Sequence, residues 1–268
     1  MVIDFHIHCF PDNLAAKAME KLIGTSDLVS YTDGTAADSI KVMKECGVDK
    51  AVVCNIATNP KQQANVNKFA IMLNGVYPEL IAFGSVHPDS GYDDILYELT
   101  NLKNAGVKGI KIHPEYMMKY ITDDAYKPIF NICRDLDLIV LTHAGFDYLS
   151  PDIIRCMPED LLKIINEYPQ MKLIAAHLGG TRVWDDVEKY LLGNDIWFDL
   201  SMIRTEGIDE NLLYKILTGH DPEKLLFATD LPWGNPAEDI KFINNIGLSD
   251  ELKENIFYKN AVKLLSCV

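Results

Sequence analysis

Eight apolar runs, each short enough for one strand and each followed by a helical pattern, constrain this chain more than any other feature. They are VIDFHIH (2–8), AVVCNI (51–56), LIAFGSV (80–86), VKGIKIH (107–113), LIVLTH (138–143), KLIAAHL (172–178), IWFDLS (196–201) and LLFATD (225–230). Most are continuously apolar rather than alternating, which marks parallel strands covered on both faces. Between them, apolar residues recur at helical spacing: Leu14/Ala18/Met19/Leu22, Ile40/Met43, Ile95/Leu99/Leu102 and Leu252/Ile256/Leu264. Strands alternating with helices imply a parallel sheet. Eight such units in 268 residues fit an α/β fold, a single (β/α)8 TIM barrel spanning residues 1–268, with an extra C-terminal helix from about Ser249. An open doubly wound sheet is the competing architecture. Against it, no G-x-G-x-x-G or G-x-x-x-x-G-K-[ST] loop follows the first run.

Charge narrows the partners. The formal net charge is −14 and no basic cluster appears. A nucleic-acid partner is not expected, because phosphate neutralisation needs Lys and Arg on one face. A small-molecule substrate is. No apolar run reaches the ~18 residues that span a bilayer, so no membrane partner is expected. The N-terminal segment has no basic stretch and starts on a strand, which reads as a protein without a signal peptide. Six cysteines without a C-x-x-C pair read as reduced thiols in a cytoplasmic protein. The loops look short, without an obvious lid, and suggest a compact pocket that a second copy in a homodimer would complete.

The chemistry sits at the strand ends. His6 and His8 are two residues apart on the first run, so in an extended strand they point to one face. Two neutral imidazoles on one rigid element make half a site for a divalent metal. Three more residues with metal-binding side chains end later runs: His143, His177 and Asp230. In a barrel the catalytic groups come from the C-terminal ends of the strands, so all five would meet at one rim. Ionisable groups gathered there are costly to bury unless paired or metal-bound. His220 precedes the eighth run and falls at the opposite end of the barrel, where no catalytic role is expected.

The pattern His-x-His on strand 1, His on strand 5, His on strand 6 and Asp on strand 8 resembles the amidohydrolase superfamily. The phrases Gly109-Ile110-Lys111-Ile112-His113-Pro114, Thr142-His143-Ala144-Gly145, Ala176-His177-Leu178-Gly179-Gly180 and Thr229-Asp230-Leu231-Pro232-Trp233-Gly234 are similar to its "amidohydrolase 2" branch. That branch holds hydrolases and the non-oxidative decarboxylases related to aminocarboxymuconate-semialdehyde decarboxylase. The resemblance implies that His6, His8, His143 and Asp230 hold one divalent ion, zinc first and manganese second. It implies that His177 contacts the water or the substrate. An ion so held can lower the pKa of a bound water toward ~7. Asp230 and His177 are then the catalytic pair, as proton acceptor and proton shuttle. In two-metal members of the superfamily a lysine on strand 4 bridges the ions; the resemblance here is to a one-metal branch, which leaves Lys111 as a substrate contact.

His113 shares a face with Lys111 and is a second pocket candidate. Arg182, Arg204 and Trp233 follow strands 6, 7 and 8, where an arginine can clamp a carboxylate and an indole can stack on a flat substrate. The favoured reading is a metal-dependent hydrolase of an amide, lactone or ester. A metal-dependent decarboxylase of a small carboxylic acid is the alternative, since it uses the same residues. A TatD-like metal-dependent nuclease ranks lower. It would need Glu115 for a second ion, and the acidic charge balance counts against it.

Overall fold

The computed structural model describes residues 1–26 and 28–266. Cys267, one of the six cysteines, lies outside them. All eight expected strands form, each shorter than its apolar run: β1 (Ile3–Ile7), β2 (Lys50–Cys54), β3 (Leu80–Phe83), β4 (Gly109–Ile112), β5 (Ile139–Thr142), β6 (Leu173–Ala175), β7 (Trp197–Asp199) and β8 (Leu225–Leu226). All pair in parallel, in the orders β1-β2-β3 and β4-β5-β6-β7-β8. Bridges at Gly84–Ile110 and Ile7–Leu231 join the two segments at both seams and close the barrel. Glycine is required at the first seam's neighbour: a Cβ on Gly109 would lie 2.7 Å from the Ile139 carbonyl oxygen.

Local signals set the helices. Thr35 accepts the Asp38 amide to cap the helix Ala36–Cys46, which ends on Gly47 in the left-handed region. Asp209 and Asn235 cap the helices after β7 and β8 in the same way. The final segment is helical throughout, from Asp250 to Ser266, with one wide turn over Asn255–Lys259. Beneath the rim the barrel is filled by one apolar cluster that includes Phe5, Val52, Phe83, Leu141, Ile174 and Leu226. Ala261 and Leu264 of the last helix belong to the same cluster, so this helix packs onto the barrel's core.

Two connections are more substantial than short loops. The helix Asp12–Ser26 after β1 lends Leu14, Ala18, Lys21, Leu22 and Thr25 to the wall of a cavity at the C-terminal rim. The segment 143–157 after β5 lends Phe146, Asp147, Tyr148 and Leu149. The expectation of short loops is therefore corrected: these two connections carry a helix and a long segment that line the cavity.

Candidate metal centre

β1 delivers His6 and His8 to the rim with their Nε2 atoms 3.2 Å apart. An acceptor stands behind each ring. His6 Nδ1 is 2.9 Å from Asp199 Oδ2, and His8 Nδ1 is 2.8 Å from the Cys54 carbonyl oxygen. A carboxylate and a carbonyl only accept, so each ring places a proton on Nδ1 and, with a single proton, turns its Nε2 lone pair toward the other. Asp230 Oδ1 joins them, 3.0 Å from His8 Nε2 and 3.4 Å from His6 Nε2. Three lone pairs that face one another without a proton are unfavourable unless a cation lies among them. Lys111 Nζ reaches His6 Nε2 at 3.1 Å, yet Asp230 Oδ1 is buried with no hydrogen-bond donor. The donor set fits a divalent ion: two imidazole nitrogens whose other nitrogens are anchored, and one carboxylate oxygen.

A second chain of hydrogen bonds fixes His177. Ser201 Oγ lies 2.5 Å from Asp199 Oδ1 and 2.8 Å from His177 Nδ1. The serine hydroxyl donates to the carboxylate, so it accepts from His177 Nδ1–H. His177 Nε2 is then an acceptor, and His143 Nδ1, 3.0 Å away, donates to it. That leaves His143 Nε2 as a lone pair, and this atom is buried without a partner. His177 and Asp230 both hold left-handed backbone, φ 58° and 64°. Such conformations cost roughly 1–3 kcal/mol and concentrate at functional sites.

Burial above all pushes the pKa values of His6, His143, His177 and His113 well below the ordinary imidazole value, against the opposing charge of Asp199 at His177. All four rings are therefore neutral, the state in which a histidine binds a metal. Burial opposes the charge on Asp230, but His6, His8 and Lys111 more than offset it and hold the carboxyl below its usual value. Asp4, beneath the site, is pushed up to about 8 by burial despite hydrogen bonds from Thr229 and the His6 amide.

The metal-ligand residues read from the sequence divide into two groups. His6, His8 and Asp230 form one cluster. His143 lines the same cavity but clusters with His113 and Asp147. The His113 and His143 rings stack 4.1 Å apart with their planes 9° from parallel, a face-to-face arrangement that directs their in-plane lone pairs alongside each other.

The cavity measures 460 Å³. Lys111, His113 and Trp233 line it, with Tyr116, Phe146 and Tyr148 among its flat walls. Arg182 and Arg204 do not line it, because carboxylates hold them elsewhere. Arg182 Nε is 2.6 Å from Glu206 Oε2, and its guanidinium covers the Phe146 ring at 3.9 Å. Arg204 is held by Asp239 at 2.6 Å and Glu238 at 2.9 Å. Glu115 is equally committed: it accepts from the Arg155 guanidinium at 2.6 Å and from Ser150 at 2.7 Å. His220 lies at the other end of the barrel, bonded to the Ile196 carbonyl at 2.9 Å. Sequence reasoning passed over Asp199 and Ser201. They share a face at i and i+2 at the end of the seventh run, the same signal that drew attention to His6 and His8.

With this geometry in view, the amidohydrolase family model that matches residues 3–266 settles the kinship. The chain belongs to the amidohydrolase 2 family. No curated protein matches it in sequence. Among solved structures, this amidohydrolase 2 chain is similar to an uncharacterised TIM-barrel protein from Bordetella bronchiseptica, with 13% identity, a TM-score of 0.79 and coverage of 99% of this chain and 98% of that one. A putative amidohydrolase from Staphylococcus aureus gives 18%, 0.71, and 99% of both chains. A 5-carboxyvanillate decarboxylase from Novosphingobium aromaticivorans, complexed with manganese and a nitrobenzoic acid, gives 14%, 0.73, 99% and 96%. At these identities the likeness shows the fold alone. The protein is an enzyme of a metal-dependent family whose structural neighbours include decarboxylases. Among the described residues, no helix is long and apolar enough to cross a membrane.

Proposed function

We propose that this protein is a metal-dependent hydrolase of a small organic substrate, an amide, lactone or ester. One observation carries the reading: His6 Nε2 and His8 Nε2 meet Asp230 Oδ1 within 3.4 Å, in a cavity that all three line. His6, His8 and Asp230 would hold a single divalent ion, zinc or manganese, with His143 Nε2 as the fourth donor. When bound, the ion polarises a carbonyl and acidifies water.

The remaining steps belong to side chains. Asp230 accepts a proton from the attacking water. Asp230 then returns that proton to the leaving atom. His177, whose Nδ1 is kept protonated by Ser201 and Asp199, accepts the His143 Nδ1–H and so keeps His143 Nε2 a lone pair facing the site. Flat walls at Tyr116 and Trp233 orient an apolar substrate body.

Non-oxidative decarboxylation is the second reading, and Lys111 favours it. Its ammonium, fully buried beside His6, could pair with a substrate carboxylate. The nuclease reading finds no support at Glu115, whose carboxylate is already taken.

Turnover in ¹⁸O-labelled water separates the two. Zinc- or manganese-loaded protein would be screened against esters, lactones, amides and small carboxylic acids. The hydrolase reading expects label in the new carboxyl group. Release of CO2 with no label in the remaining product would replace it with decarboxylation.

A further inference from the structure

Asp147 enters the cavity from the segment after β5, and one of its oxygens is spent locally: Oδ1 accepts the Leu149 amide at 2.8 Å. The other, Oδ2, faces His113 Nε2 across 3.6 Å, too far for a hydrogen bond. His113 Nδ1 accepts the Tyr116 amide, which leaves the ring's proton on Nε2. The ring cannot swing to close the gap, because Tyr116 stacks on it at 3.8 Å and His143 at 4.1 Å. A fixed N–H donor and a fixed carboxylate acceptor therefore stand side by side in the cavity wall. The Asp147 side chain is only 11% exposed, and among the described residues no lysine or arginine pairs with it. An anion in that position would be repelled, whereas a group with a proton to give would satisfy a carboxylate that is costly to leave bare.

We propose that Asp147 and His113 are a specificity-determining pair, and that the substrate is a flat, largely apolar molecule that presents an O–H or N–H donor, and not an anionic group, to this pair. A hydroxyl or primary amide satisfies both members at once, donating to Asp147 Oδ2 and accepting from His113 Nε2–H. Phe146 and Tyr148, on either side of Asp147 in the chain, supply flat walls beside the pair. The inference rests on this cavity being the substrate site; it holds whether the reaction there is hydrolysis or decarboxylation.

Calorimetric binding to the metal-loaded protein tests it with three unreactive probes: 2-naphthol, 2-methoxynaphthalene and 2-naphthoate. Wild-type protein should bind 2-naphthol about tenfold tighter than 2-methoxynaphthalene, the scale of one hydrogen bond to a charged group. Asp147→Leu should bring the two within about twofold of each other and tighten 2-naphthoate by removing a like charge. Asp147→Asn, which keeps an acceptor and loses the charge, should fall between, at about threefold. It decides the matter alone if the leucine variant does not fold. An unchanged preference for 2-naphthol in the variants would assign the hydroxyl to another group and overturn the pair. Failure of all three probes to bind wild-type protein would overturn the substrate class. The ¹⁸O result does not enter this test, so the hydrolase reading fails or stands separately.

Discussion

His8 Nε2 and Asp230 Oδ1 stand 3.0 Å apart while His8 Nδ1 is held by the Cys54 carbonyl at 2.8 Å. A neutral His8 cannot satisfy both neighbours. With the His8 proton on Nδ1, a cation between the two atoms makes the contact favourable, and the unpartnered His143 Nε2 presents a further lone pair in the same cavity. The geometry of these side chains thus supports a metal here alongside the kinship.

Asp199 tests the anchoring of these lone pairs. It accepts from His6 Nδ1 and from Ser201 without touching the proposed ion. Asp199→Asn should weaken metal binding by about 10–100-fold, the usual cost of losing such a partner. Competition with a chromogenic chelator measures it; wild-type affinity in the variant would mean that His6 is oriented by something else.

Asp230→Asn should lower turnover by roughly 10²-fold or more when fully loaded with metal, since an amide cannot take the proton of water. Circular dichroism should show the barrel retained. Near-normal turnover would remove Asp230 from the chemistry.

Ser201→Ala breaks the chain that keeps His177 protonated on Nδ1. Turnover should fall by about tenfold or more while KM holds, and the acid limb of the pH–rate profile should move. A change in KM alone would make Ser201 a packing residue.

His220 should matter to stability and not to catalysis. Its Nε2–H bonds the Ile196 carbonyl and its Nδ1 accepts the Gly193 amide. Burial, with the Ile196 hydrogen bond only partly opposing it, holds its pKa below the ordinary value of 6.5. The stability this neutral ring contributes is complete above pH 6.5 and is lost as pH falls through the lowered folded value. His220→Gln should leave metal content and turnover unchanged, cost about 1 kcal/mol at neutral pH, and flatten the fall in melting temperature on acidification. Loss of metal would contradict the placement of His220 at the far end of the barrel.

What the sequence discloses follows from which forces act locally. The eight strands are legible because strands covered on both faces must be apolar along their whole length. Strand ends are legible too, which is why His6, His8, His143, His177 and Asp230 stand out. Arg182 and Arg204 show the limit. Their positions after β6 and β7 match a carboxylate clamp, but Glu206 and Asp239, remote in the chain, claim them first. Asp147 is invisible in the same way, since only the path of the segment after β5 brings it against His113. The left-handed turns at His177 and Asp230 leave no glycine to read, and the cavity-lining helix Asp12–Ser26 looks like any amphipathic helix until its partners are known.

Crystallographic anomalous scattering at the zinc or manganese edge tests the central claim most directly. The account predicts one strong peak per chain, about 2.0–2.3 Å from His6 Nε2, His8 Nε2 and Asp230 Oδ1. A metal-replete crystal with no peak among these three atoms, or with its peak between His113 and Asp147 instead, would contradict it.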